Sequence, residues 1–114
     1  MLLATDLDGT FLAGDPEDRL SLYQTIAAHP EIRLAYVTGR SLEAVLPLLD
    51  DPTLPRPDYI IADVGASLYD GQTLQPIQPL QGQIDLRWPG ESQVAQALAG
   101  FADLERQDVP QARR

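Results

Sequence analysis

Apolar residues come in short blocks that stop abruptly at polar or glycine-rich turns, and the blocks alternate between two kinds. Leu2-Leu3-Ala4 is too short for a helix and ends at Thr5-Asp6-Leu7-Asp8-Gly9-Thr10, which reads as a buried strand closed by a turn. Leu20, Tyr23, Ile26 and Ala27 then recur at helical spacing behind Asp15-Pro16, an N-cap with proline at the first helical position, and His29-Pro30 ends that helix. Ile32 to Val37 is a second strand. Ser41 caps a second helix with a Leu42, Val45, Leu46 and Leu49 stripe, in which Pro47 removes one backbone bond and should kink the axis. Asp50 to Asp58 holds three prolines and is a loop; Tyr59 to Ala62 is a third strand.

Strand–helix–strand–helix–strand predicts right-handed crossovers and a parallel α/β sheet. Past the third strand, Ser67-Leu68-Tyr69 precedes an Asp70-Gly71 hairpin turn. Gln75 to Pro89 is rich in Gln, Pro and Gly and carries no clear periodicity. Ser92 to Leu104 places Val94, Leu98, Phe101 and Leu104 on one helical face, and Glu105 to Arg114 is polar.

The 114 residues allow one modest domain, and 44% apolar with 22% charged residues is ordinary globular composition. A formal charge of −9 argues against nucleic acid and anionic membranes as partners, since both require a basic face. No cysteine is present, which removes disulfides, thiolate nucleophiles and zinc–sulfur sites. No run approaches a membrane span and the N-terminus lacks a signal-peptide pattern, so a cytoplasmic protein is expected.

The position of Asp6 and Asp8 changes the picture. Side chains two apart on a strand point the same way, roughly 7 Å apart. Gly9 lets the chain turn directly after them. Carboxylates at the carboxyl end of a buried strand stand where open α/β sheets place their ligands.

Asp6-Leu7-Asp8-Gly9-Thr10 resembles the first motif of the haloacid dehalogenase-like phosphohydrolases. The resemblance implies that Asp6 is the nucleophile of phosphoryl transfer and Asp8 the acid/base that serves the leaving and attacking oxygens. It also implies Mg²⁺, held by the Asp6 carboxylate and the Asp8 backbone carbonyl. Thr38-Gly39-Arg40 matches the second motif: a hydroxyl, an accessible N–H and the Ser41 helix start form a phosphate cradle at the same sheet edge. Gly9 and Thr10 are assigned to the phosphate side of the site. Arg40 is assigned to substrate, with pairing to an acid such as Glu43 as the other reading.

Leu3 to Thr10, Tyr36 to Arg40 and Pro57 to Tyr69 narrow the resemblance to the sucrose-phosphate phosphatase group. That implies a Rossmann-like three-layer core with a parallel sheet over residues 1–80, the start of an inserted α/β cap over 81–114, and a phosphorylated sugar as substrate. Trp88 suits the cap's beginning but, like His29, is not assigned to the site. Asp63 stands where the group carries Ser, Thr or Asn and reads as a satisfied loop acid.

Two departures matter. All eight basic residues are arginines, so the lysine that neutralises the phosphate is absent, and no Gly-Asp-x-x-x-Asp motif completes the metal shell. The chain is therefore expected to be the N-terminal half of a longer enzyme, inactive alone. The alternatives are a degenerate or regulatory domain that binds metal and phosphate without turnover, and an inverting glycosidase, ranked low because its acids oppose each other across a cleft.

Overall fold

The computed structural model describes residues 1–108. The end of the expected cap region, 109–114, lies outside the described residues.

β1 (Leu2–Thr5), β2 (Arg33–Val37), β3 (Tyr59–Ala62) and β4 (Ser67–Asp70) form one sheet in the order β1-β2-β3-β4. β1, β2 and β3 run parallel, in the register Leu3↔Leu34, Thr5↔Tyr36 and Tyr36↔Ile60. β4 returns antiparallel to β3, so the sheet is mixed, with its parallel part confined to the first three strands. Asp70–Gly71 does turn the chain back: Asp70 N–H donates to Gln75 C=O at 2.9 Å, and Tyr69 bridges to Pro76.

The crossover helices are α1 (Pro16–Ala28) and α2 (Leu42–Leu49). Asp15 caps α1 by accepting the Glu17 N–H at 2.9 Å, and Ser41 caps α2 by accepting that of Ala44. α2 continues through Pro47 for only two further residues. Both helices bury side chains in one cluster: Tyr23 and Ile26 from α1, Val45 from α2, Leu34 and Tyr36 from β2, Ile60 and Ala62 from β3. These strand residues alternate along the chain, so they share one face of the sheet. Phe11 joins them through ring contacts with Tyr23 at 4.8 Å and Tyr36 at 5.7 Å. Burial pushes the Tyr36 phenol up, and its hydroxyl donates to Pro55 C=O at 2.6 Å.

β1 is not the buried strand its apolar run suggests. Among the described residues it pairs only with β2, so it forms the sheet edge and leaves Leu2 62% exposed. The junction into β3 is held by Asp58, whose carboxylate accepts Leu34 N–H at 2.9 Å and pairs with Arg33 at 2.8 Å.

α3 (Leu80–Asp85) is pinned to β4 by the buried Gln81, which accepts Leu68 N–H at 2.7 Å and donates to Ala66 C=O at 3.1 Å. α4 (Glu91–Leu98) buries none of its residues. It ends six residues before the expected limit: Gly100 follows its C-cap Ala99, and Phe101 and Leu104 lie beyond it in exposed turns. Gly is the poorest helix former after proline, which accounts for the stop. Among the described residues no helix is long and apolar enough to cross a membrane.

Candidate active site

Leu7 and Phe11 anchor the turn after β1. Leu7 is fully buried and Phe11 nearly so, while Asp6, Asp8, Gly9 and Thr10 between and beside them are exposed. Phe11 N–H donates to Asp6 C=O at 3.2 Å and Leu12 N–H to Leu7 C=O at 2.9 Å, closing a wide helical turn. Gly9 at φ 75° lets the backbone double back, a conformation that costs a side-chain-bearing residue energy. Thus the alternation of two apolar anchors with polar residues aims both aspartates out of the sheet's carboxyl edge.

Thr38 ends β2 beside them. It is 4% exposed, its N–H donates to Ile61 C=O at 2.9 Å, and its Oγ1 accepts Arg40 N–H at 3.1 Å. That leaves its hydroxyl proton to donate outward. Asp6, Asp8, Thr38, Gly39 and Arg40 line a single cleft of about 560 Å³, so the structure brings these sequence-predicted residues together. Gly9 and Thr10 do not line it. Thr10 instead turns its hydroxyl back to Asp6 Oδ2, at 3.4 Å.

Arg40 pairs with an acid, as one reading allowed, but that acid is Asp8 and not Glu43. Its Nη2 and Nε donate to the two Asp8 oxygens at 2.6 and 2.8 Å, and its Nη1 donates to Ala44 C=O at 3.2 Å. Bidentate guanidinium–carboxylate geometry is the strong form of this pair. It holds the Asp8 carboxyl below the usual carboxylate range, chiefly by hydrogen bonding and secondarily by charge attraction. The same pairing raises Arg40.

Two site features escaped the sequence reading. Asp63, Val64 and Gly65 form a tight turn after β3 with φ of 52°, 57° and 91°, and two of these residues are not glycine. The turn docks on the second-motif loop: Asp63 N–H donates to Arg40 C=O at 2.9 Å and Val64 N–H to Thr38 C=O at 3.2 Å. Asp63 is 7% exposed and accepts Ser67 Oγ at 2.8 Å, so it is a satisfied acid, but one that braces the site. Gly65 alone signalled this turn.

Among the described residues no cluster of three or more acids or histidines forms a metal cage. The side chains that line the cleft offer hard oxygens, from Asp6, Asp8 and Thr38. Mg²⁺ suits so sparse a set, because it keeps several waters and takes further ligands from substrate phosphate.

The model of the sucrose-6F-phosphate phosphohydrolase family matches residues 1–114. The chain belongs to this family. Its fold resembles that of the sucrose-phosphatase of Synechocystis, solved with sucrose and phosphate, with TM-score 0.76 and 30% identity over 95% of this chain and 43% of that one. Over all 114 residues it is 80% identical to a glucosylglycerol-phosphate synthase of Pseudomonas anguilliseptica, covering 15% of that protein. It is 37% identical over 111 residues to a haloacid dehalogenase-like hydrolase of Nitrosococcus oceani, covering 29% of it. The chain thus spans less than half the length of each of these relatives. It carries the mixed-sheet Rossmann-like fold of the haloacid dehalogenase-like phosphatases.

Proposed function

We propose that the chain supplies the nucleophile and phosphate cradle of a Mg²⁺-dependent phosphohydrolase acting on a sugar phosphate. The observation that carries this reading is the single cleft shared by Asp6 at the end of β1 and Thr38-Gly39 at the end of its parallel neighbour β2.

In this mechanism an Asp6 carboxylate oxygen attacks phosphorus as the ester P–O bond breaks, leaving an acyl phosphate on Asp6. Asp8 gives its proton to the departing sugar oxygen, then takes one from the water that attacks the acyl phosphate and releases inorganic phosphate. Thr38 Oγ1 and the Gly39 N–H donate to the phosphoryl oxygens. Because Arg40 holds Asp8 as carboxylate, protonation of Asp8 requires the guanidinium to move off, and an arriving phosphate dianion competes for it. Asp6 and the Asp8 carbonyl would hold Mg²⁺, which when bound would neutralise phosphate charge.

Residues 1–80 are the core half in this account and 81–114 begin the cap; α4, none of whose residues is buried, supports this for the later part, whereas Gln81 of α3 still packs on β4. Sucrose 6-phosphate and glucosylglycerol phosphate are the first substrates to test, from the names of the relatives. Phosphate release from either by the protein that carries this chain, lost on chelation and restored by Mg²⁺, is the expected result; no release from any phosphomonoester removes the assignment.

A second reading, a domain that binds phosphate and metal without turnover, draws on two facts: the chain has no lysine, and Asp8 is engaged by Arg40. Phosphate binding without hydrolysis distinguishes it.

A further inference from the structure

Val64 combines properties that work against each other. It is β-branched at φ 57°, a left-handed conformation that is an outlier for such a side chain. Glycine or asparagine would adopt this backbone with less strain. Nor is the strain offset by burial, since Val64 is 75% exposed. The turn is held in place from both sides, by the amides donated to Arg40 and Thr38 and by the buried Asp63–Ser67 bond. Backbone strain that the surrounding structure over-determines concentrates at binding and catalytic sites.

Its location says what the side chain is for. The cleft containing Asp8 and Arg40 adjoins a second, which runs along the ends of β1 and β2. Asp6, Thr38, Gly39 and Val64 line both. The first three offer a carboxylate, a hydroxyl and bare backbone; Val64 offers an isopropyl group. Its Cγ2 would lie 3.8 Å from a β-carbon on Gly39, so it stands directly beside the proposed phosphate cradle.

We propose that Val64 is a specificity residue: its exposed isopropyl group is the apolar contact for the carbon skeleton of the phosphoester's leaving group. One face of a sugar ring presents C–H groups, and covering the isopropyl with it removes apolar surface from water. Inorganic phosphate has no such face. The inference rests on the phosphatase reading only for where the phosphoryl group sits.

The test uses the protein that carries this chain, with Asp6→Asn to prevent turnover, and calorimetric titration with glucosylglycerol phosphate, sucrose 6-phosphate and inorganic phosphate. Val64→Gly should weaken the better sugar phosphate by about tenfold and inorganic phosphate by less than about twofold, as expected for losing one apolar side-chain contact. The thermal midpoint should hold or rise, because glycine tolerates the left-handed turn. Val64→Thr keeps the branched shape but replaces a methyl by a hydroxyl, and should fall between the two. Unchanged sugar-phosphate affinity in Val64→Gly overturns the proposal. So does an equal loss for inorganic phosphate, or a lowered midpoint, which would make Val64 a support for the cradle or a packing residue. Failure of the phosphatase reading is separate: it shows as Val64-dependent sugar-phosphate binding with no phosphate release by the protein bearing Asp6.

Discussion

Replacing Ser67 by alanine removes one hydroxyl and little volume, and it removes the brace of the Asp63–Gly65 turn. Ser67 is 2% and Asp63 7% exposed, and the bond between them is 2.8 Å, so solvent screens it little. A hydrogen bond to a charged group contributes about 1.5–3 kcal/mol, and a buried acceptor left short of a donor costs a comparable amount. Ser67→Ala should therefore lose about 2 kcal/mol in urea unfolding followed by circular dichroism at neutral pH, with an unchanged dependence on urea. A cycle with Asp63→Ala should give a coupling of more than about 1 kcal/mol, because the two side chains share the interaction. The same turn anchors the carbonyls of Thr38 and Arg40, so kcat/KM should also fall, by roughly tenfold, short of the roughly hundredfold that an ångström of misplacement costs. A coupling near zero, or a stability loss below about 0.5 kcal/mol, would refute the bracing role.

Arg40→Ala should let the Asp8 carboxyl titrate higher, toward the ordinary range, because the bonds that hold it down are lost; carbon-detected NMR of the carboxyl reads this directly. Asp58 is depressed first by the Leu34 N–H and then by Arg33, so its stabilising effect is complete above the unfolded carboxyl value of about 3.9 and is lost as pH falls below it. Asp58→Asn should accordingly flatten the acid side of the stability profile, and Asp58→Ala should cost about 1–3 kcal/mol at neutral pH by orphaning the Leu34 amide. Chelation of divalent cations should abolish phosphate release while leaving the far-ultraviolet circular dichroism unchanged.

Local signals carried much of the fold. α1 was legible because Asp15 and Pro16 mark its start in the side chains themselves, and β2 and β3 because their apolar runs stop at polar turns. What stayed hidden depends on contacts distant in sequence or on backbone conformation. β1 reads as buried from composition, yet burial depends on a neighbour that composition does not specify. The Asp8–Arg40 pair spans 32 residues, and Glu43 was the nearer acid. Nothing in the identity of Val64 announces positive φ, since that conformation is imposed by docking on Thr38 and Arg40. Gly100 stops α4 despite an apolar periodicity that continues to Leu104. At the site, Asp6, Asp8, Thr38, Gly39 and Arg40 line one cleft, because parallel strands end at one edge.

Covalent chemistry at Asp6 is the centre of this account. Rapid acid quench during turnover of a sugar phosphate labelled on phosphorus, followed by peptide mapping, tests it most directly. A hydroxylamine-sensitive phosphoryl group on the peptide bearing Asp6, absent in Asp6→Asn, is the expected result. Phosphate release at full rate by Asp6→Asn, with no label on that peptide in the unsubstituted protein, would contradict it.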